Sequence, residues 1–153
     1  MRKRWVGAAI LGLLALGLPA HAGDSLYGRV TEVKSGNIVT LDYGAGQYEL
    51  RLVGIELPND KVLSERATGL VKRLVLGKNA RMRFEGRSED GVMNARLFTD
   101  DPEQGIQEVA VELLRAGLVK RAKDVDFKYG ELSAAESEAR DARRGLWAAD
   151  QQR

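Results

Sequence analysis

The chain has 153 residues, with 24 Lys and Arg against 22 Asp and Glu, so its formal net charge is only +2. It contains no cysteine and a single histidine, His21. These counts exclude disulfides and cysteine-based metal or nucleophile sites, and they leave His21 as the one imidazole available as a base or ligand.

The N-terminus has the pattern of a secretory signal peptide. Three basic residues at 2–4 precede an apolar run over 5–18, and Ala-His-Ala at 20–22 is a small-x-small cleavage site. The run is shorter than the ~20 residues that a membrane-spanning helix needs, with an uncleaved N-terminal anchor as the alternative. We therefore expect residues 1–22 to be removed and residues 23–153 to form one exported domain, periplasmic or secreted.

Cleavage after Ala22 changes the charge argument. It would remove three basic residues and no acidic ones, which leaves 21 Lys and Arg against 22 Asp and Glu. It would also remove His21, so the mature part would have no histidine general base. A near-neutral domain lacks the basic excess of a strong nucleic-acid binder, although the net charge does not exclude a local basic patch.

The first part of the mature chain predicts a three-stranded meander. Apolar and polar residues alternate in three segments that short turns with glycine or asparagine separate. Pro58 ends the meander, and Asn59 or Asp60 can cap the helix that follows. The predicted strands cover residues 26–33, 38–43 and 48–55.

The second part predicts more helix than strand. Apolar residues at three- and four-residue spacing indicate a helix over 62–75. Five strands with a helix after the third are typical of an α+β fold, a five-stranded β-barrel of the OB type with about three helices packed outside. The remaining elements are strands over 80–85 and 92–98, and helices over 106–116 and 132–144 that Gly117 and Gly145 close.

The segment RLVGIELPND, residues 51–60, resembles R-L-x-G-I-D-x-P-E of the staphylococcal-nuclease-like (thermonuclease) family. The order and spacing of several segments carry this resemblance over essentially the whole mature length. The other segments are SGNIVTL at 35–41, EDGVMNARLF at 89–98, VELLRAGLVK at 111–120 and AAESEARDARRGLW at 134–147.

The resemblance implies the same OB barrel and a calcium-dependent cleavage of phosphodiester bonds in DNA or RNA. In that family, carboxylates on the first turn and after the third strand hold Ca²⁺. A glutamate beyond the proline orients or activates water, and two arginines bind the phosphate and stabilise its developing charge.

Residue by residue, this sequence keeps only part of the family's metal-binding, water-orienting and phosphate-binding residues. Arg51 keeps the first arginine position, and Glu56 stands for the loop aspartate. Asn37 stands at a metal-binding aspartate, Asn59 at the water-orienting glutamate and Val92 at the second arginine. Glu56 and Asn37 are the candidate Ca²⁺ ligands, and this pair predicts weak binding.

These substitutions remove charge where the reaction needs it. Ca²⁺ takes six to eight oxygens, several of them charged, whereas the Asn37 amide oxygen is neutral. Asn59 cannot accept a proton from water, a role typically worth ~10²–10⁴-fold in rate. Val92 cannot stabilise phosphoryl charge, which is worth ~10³-fold or more.

The sequence therefore favours a non-catalytic binding or accessory module without a cofactor. The alternative is a weak or divergent Ca²⁺-dependent nuclease built on Arg51, Glu56 and a shifted Asp60. Arg51 and Glu56 are also expected to contact each other at the barrel mouth as a structural ion pair. The sequence does not choose between nucleic acid and an envelope protein as the partner.

Overall fold

The structure, a computed structural model, describes residues 25–123 and 130–148. No helix in these two ranges is long and apolar enough to cross a membrane. The predicted signal peptide, residues 1–22, and its cleavage site lie outside the described residues, so export stays a prediction.

Eight strands and three α-helices make up the described chain, with one short 3₁₀ helix at Gly145–Trp147. The strands are β1 (Ser25–Ser35), β2 (Ile38–Asp42), β3 (Gln47–Leu52), β4 (Ile55–Glu56), β5 (Asn79–Arg87), β6 (Met93–Asp101), β7 (Gly105–Glu108) and β8 (Lys120–Arg121). The helices are α1 (Lys61–Val75), α2 (Val109–Arg115) and α3 (Gly130–Asp141).

Five of these strands close a barrel. Antiparallel pairs join β3, β2, β1, β5 and β6 in that order, and β6 then pairs in parallel with β3. The closing pair aligns Leu50 with Met93 and Leu52 with Ala95, and all four side chains are buried. The predicted five-stranded α+β barrel of the OB type is confirmed.

Helix α1 packs its apolar stripe against the barrel. Ala67, Val71 and Val75 are fully buried, whereas Val62, which the spacing placed on the same stripe, is 65% exposed. The side chain of Asp60 accepts a hydrogen bond from the Leu63 backbone N–H at 2.8 Å and so caps the helix as predicted.

The helix predicted over 106–116 is wrong at its start. Residues 105–108 form β7, which pairs with β6, and α2 begins only at Val109. The carboxylate of Asp101 accepts the backbone N–H groups of Glu103 and Gln104, which folds the chain back on β6. Strand pairing therefore prevails over the amphipathic spacing.

The end of the described chain docks on the turn after α2. The third helix ends at Asp141, three residues earlier than predicted, and Leu146 N–H donates to the Gly117 carbonyl at 2.8 Å. A Cβ at Gly117 would lie 2.2 Å from the Arg144 carbonyl oxygen. Since Gly117 also has a φ of +67°, only glycine fits here without displacement.

Candidate functional site

Three segments that the family resemblance singles out meet at one end of the barrel. The turn between β1 and β2 lies beside the end of β3, where Leu52 N–H donates to the Asn37 carbonyl at 2.8 Å. The same turn packs on α1 and the loop before it, because a Cβ at Gly36 would lie 2.8 Å from Leu57 and 2.9 Å from Ala67. The fold therefore gathers the segments that hold Asn37, Arg51 and Asn59.

The turn that should carry metal-binding acids is neutral and hydrogen-bonded to itself. The Ser35 hydroxyl donates to the Asn37 amide oxygen at 2.9 Å, and the Asn37 backbone N–H lies 3.4 Å from the same hydroxyl. The one side-chain oxygen that Asn37 offers to a cation is thus already an acceptor within the hairpin. This local pairing is typical of a polar turn.

Arg51 is held by the turn between β5 and β6. One guanidinium nitrogen donates to the Ser88 hydroxyl at 2.9 Å, and the other donates to an Asp90 carboxylate oxygen at 2.7 Å. The hydroxyl of Ser88 donates in turn to the second Asp90 oxygen at 2.6 Å. Both terminal nitrogens of Arg51 are therefore engaged before any ligand arrives.

These contacts also fix the protonation state of Asp90. Hydrogen bonds from Arg51, from Ser88 and from the Val92 backbone hold the pKa of the Asp90 carboxyl well below its ordinary value. A fixed negative charge consequently stands directly beside the retained arginine.

The expected ion pair between Arg51 and Glu56 is wrong. After β3 the chain turns at Gly54, which has a φ of +84°, and Glu56 then pairs with Lys120 of β8 in a separate two-stranded sheet. Arg51 instead pairs in register with Asn94, four residues after Asp90, so its side chain reaches the β5–β6 turn. Glu56 is exposed.

The other substituted positions lie at the rim. Asn59 is exposed in the loop before α1, and Val92 is half-buried, with its backbone N–H directed to Asp90 at 3.2 Å. The carboxylate of Asp60 is occupied by its capping bond to α1. The alternative in which Asp60 replaces the missing acid would require that cap to open.

A calcium ion does not fit the residues present. Among the described residues, no group of three or more His, Cys, Asp or Glu comes together as a metal site. The two expected ligands differ as well, since the Asn37 amide is neutral and bonded to Ser35 while Glu56 stands exposed in another sheet. Hard divalent cations need several converging oxygens, and charged ones above all.

A basic groove adjoins this end of the barrel. Its volume is about 630 Å³, and it lies between the β1–β2 turn and the polar face of α1. Lys34 on one side binds the Glu49 carboxylate, which raises the pKa of the lysine, and Lys61 lies 3.9 Å from Glu65. The lining residues are Lys34, Ser35, Pro58, Asn59, Lys61, Ser64, Glu65, Thr68, Gly69 and Lys72.

Sequence reasoning missed this groove and the clamp on Arg51. The groove has a signal in the sequence, because polar residues at 61, 64, 65, 68 and 72 recur at helical spacing. The clamp has none, because Ser88 and Asp90 are 37 and 39 residues from Arg51 and meet it only through barrel closure.

Fold and site together define a thermonuclease-like barrel domain. The model of the family described as Staphylococcal nuclease homologue matches residues 49–149. Because this is well over half of the 153 residues, the chain belongs to that family. The match begins in β3, so β1, β2 and the turn with Asn37 lie outside it, and the strand pairing attaches them to the barrel. Comparison with curated proteins finds no match for this chain.

Proposed function

We propose that this chain is an exported binding module of the staphylococcal nuclease homologue family that does not efficiently cleave phosphodiester bonds. One observation carries the proposal: Arg51, the retained phosphate-binding position, is clamped by the ionised carboxylate of Asp90. A phosphate that approaches Arg51 must displace this carboxylate or share the guanidinium with it, and like charges repel.

The neighbouring positions support the same conclusion. Asn37 is bonded to Ser35, Asn59 is a neutral amide at the rim, and Val92 offers no charge. Efficient cleavage would need metal binding, proton transfer and charge stabilisation together, and each of these groups is weakened or absent. Such groups act as a unit, so losing several is far from additive.

The basic groove favours an anionic ligand, with single-stranded nucleic acid as the first candidate. Lys34, Lys61 and Lys72 line it, with hydroxyls between them, and the neighbouring carboxylates are Glu65 in the lining and Glu49, which binds Lys34. Each phosphate contact on a single strand contributes a slope of about −0.7 in log K against log salt. Three such contacts predict a slope of about −2 for a short oligonucleotide.

The experiment measures binding and cleavage separately. Wild-type protein, residues 23–153, is incubated with single-stranded DNA and RNA in Ca²⁺, Mn²⁺ or chelator, and binding is followed by fluorescence anisotropy across salt concentrations. We expect salt-dependent binding in chelator and no cleavage at an ordinary enzymatic rate. Cleavage by the wild type that Glu56→Gln abolishes would establish the divergent nuclease instead.

Reconstruction sharpens this test. A triple variant with Asn37→Asp, Asn59→Glu and Val92→Arg restores the family's charges but leaves Asp90 in place. A second variant adds Asp90→Ala, which frees Arg51. We expect Ca²⁺-dependent cleavage to be much stronger in the quadruple variant than in the triple one, and equal rates would contradict the role assigned to Asp90.

The proposal that the protein is exported rests on its sequence alone. The basic start and the Ala-His-Ala site support cleavage after residue 22. Mass spectrometry of the protein from its native cells should find an N-terminus at Gly23 in an envelope or secreted fraction. A membrane-retained protein that still begins at Met1 would support the uncleaved anchor.

A further inference from the structure

A second surface lies on the outer wall of the barrel, on β1, β5, β6 and β7. In the antiparallel register Tyr27 faces Arg81, and Arg81 faces Phe98, so the three side chains form one row across three strands. The next strand, β7, contributes Ile106 opposite Asp100 of β6. None of these residues belongs to the end of the barrel that holds Arg51.

The surface is a shallow apolar cavity of about 270 Å³. Tyr27 is 70% exposed and Ile106 is 67% exposed, and both line the cavity. Ala80 and Thr99, which are buried, also belong to its lining. Two large exposed apolar side chains that line one concavity offer a place for an apolar side chain of a partner. This volume is below the usual range for small-molecule pockets and suits a single anchoring side chain.

The cavity lining carries one guanidinium, that of Arg81, and it is held in place. The Arg81 guanidinium lies over the Phe98 ring at 4.7 Å, and that ring also contacts Arg96 at 5.1 Å. Arg96 is ion-paired with Glu108, whereas no carboxylate of the described residues comes within ion-pair distance of Arg81. Its ring contact pre-orients Arg81 without neutralising its charge.

We propose that this surface, Tyr27 with Arg81, Phe98 and Ile106, docks a protein partner through an acidic segment that carries one aromatic side chain. The aromatic ring fills the cavity, and a neighbouring carboxylate of the partner binds Arg81. Protein interfaces are enriched in tyrosine, phenylalanine and arginine. A few such residues near the centre of an interface carry most of its binding energy.

The rim favours a peptide over a nucleic-acid strand. Asp100 lines the cavity beside Ile106. Its carboxylate can accept a backbone N–H of an extended peptide, whereas a phosphodiester group has no donor to offer it. A nucleic-acid strand would also need several cations along a track, and this cavity has the single guanidinium of Arg81 in its lining. This proposal is independent of whether the other end of the barrel cleaves or binds nucleic acid.

The test is an NMR titration of isotope-labelled protein in chelator with a blocked peptide, Asp-Asp-Trp-Asp-Asp. We expect saturable shifts centred on Tyr27, Arg81, Thr99 and Ile106, with a Kd of about 1 mM, as suits so short a segment. A peptide with Ala for Trp, and one with Lys for every Asp, should bind about tenfold more weakly or not at all. The same titration with a single strand of six thymidines tests the other class of ligand.

Matched variants test whether peptide binding depends on this surface or on any exposed arginine or apolar side chain. Arg81→Gln and Tyr27→Ala should each lower the affinity for the acidic peptide by about tenfold. Arg73→Gln and Val62→Ala change an exposed arginine and an exposed apolar side chain on α1, and they should leave the affinity unchanged. All four replaced side chains lie at least partly in solvent, so the amide spectra should retain the folded pattern.

Three results would each overturn the proposal. The first is no saturable shift at about 5 mM peptide, five times the expected Kd. The second is an unchanged affinity in Arg81→Gln and Tyr27→Ala. The third is tighter binding of the thymidine strand than of the peptide at these same residues. Each concerns the outer wall alone, so none bears on cleavage or binding at the Arg51 end.

Discussion

Two arginine–carboxylate pairs lie on neighbouring strands of the barrel, and water reaches them very differently. Arg51 of β3 pairs with Asp90, and their side chains are 32% and 53% exposed. Arg96 of β6 pairs with Glu108, and their side chains are only 12% and 3% exposed. Arg96 donates two guanidinium nitrogens to Glu108, whereas Arg51 donates one to Asp90 and the other to Ser88. The two pairs therefore differ in geometry as well as in burial.

The difference indicates what each region can be used for. The pair of Arg96 and Glu108 joins β6 to the start of α2, and breaking it would leave a charge inside the wall. The pair of Arg51 and Asp90 is solvated, so a substitution can remove it at little cost to the fold. The pair in the barrel wall therefore contributes to the fold, whereas the residues at the Arg51 end can be replaced with little effect on it.

The largest expected effect is from Glu108→Ala. Removal of this carboxylate takes two charge-assisted hydrogen bonds from the largely buried Arg96 guanidinium, which should lower the free energy of unfolding by ~3–5 kcal/mol. Urea unfolding followed by circular dichroism measures the loss.

Glu131→Ala is the matched control for that measurement. Glu131 lies 3.9 Å from the same Arg96 nitrogen, but its side chain is 77% exposed. Its removal should change the free energy by no more than ~0.5 kcal/mol. Equal losses in Glu108→Ala and Glu131→Ala would show that burial does not distinguish the two contacts.

A double replacement tests whether the buried charge itself stabilises the fold. Arg96→Met with Glu108→Leu keeps the volume and removes both charges, so no unpaired ion is left behind. Because such swaps are often neutral or stabilising, we expect the double variant to recover more than half of the loss in Glu108→Ala. A double variant as unstable as Glu108→Ala would mean that the pair holds β6 and α2 in a geometry that apolar side chains cannot replace.

The fold was largely predictable because its signal is local. Alternation along the strands, the glycine turns and the Asp60 cap gave the barrel and α1 correctly. The start of α2 was not predictable, because Ile106 fits the helical spacing of the residues after it and only the hairpin at Asp101 shows that it belongs to β7. The exposure of Val62 was missed for a similar reason. Residue spacing predicts which face of a helix is apolar, but it does not show where along the helix that face stops being covered.

The candidate site was predictable in position but not in contacts. The resemblance to the family located Arg51 and Val92, and the fold brings both segments to one end. The partner of Arg51 depends on the parallel pairing of β3 with β6, which joins residues more than 40 positions apart. No local pattern encodes that closure, so the nearer Glu56 was the obvious partner and Asp90 was missed.

At the solvated end, Asp90→Ala should separate stability from binding. The urea midpoint should fall only slightly, because water replaces most of the exposed contact. The affinity for a single-stranded oligonucleotide should rise several-fold, because Arg51 becomes available and a negative charge is removed. Ser88→Ala is the control, since it loosens Arg51 without removing charge. An affinity that falls in Asp90→Ala would contradict the clamp.

The smallest expected effect is the pH dependence of the Asp90 contribution, measured as the stability difference between wild type and Asp90→Asn. The ordinary pKa of this carboxyl is 3.8, and bonds from Arg51 and Ser88 lower it in the folded state. A lowered folded pKa means that the contribution is fully present above about pH 5 and is lost as the pH falls through 4 towards the folded value.

Asp101 supplies the control for the cause of that shift. Its pKa is also lowered, but mainly by the backbone N–H groups of Glu103 and Gln104 rather than by a cation. Both Asp90→Asn and Asp101→Asn should therefore lose their stability difference in acid. At ~1 M salt, where screening acts over ~3 Å, the difference at Asp90 should shrink at neutral pH while that at Asp101 largely persists. An Asp90 difference that grows on acidification, or resists salt as Asp101 does, would mean that Arg51 is not what holds this carboxylate ionised.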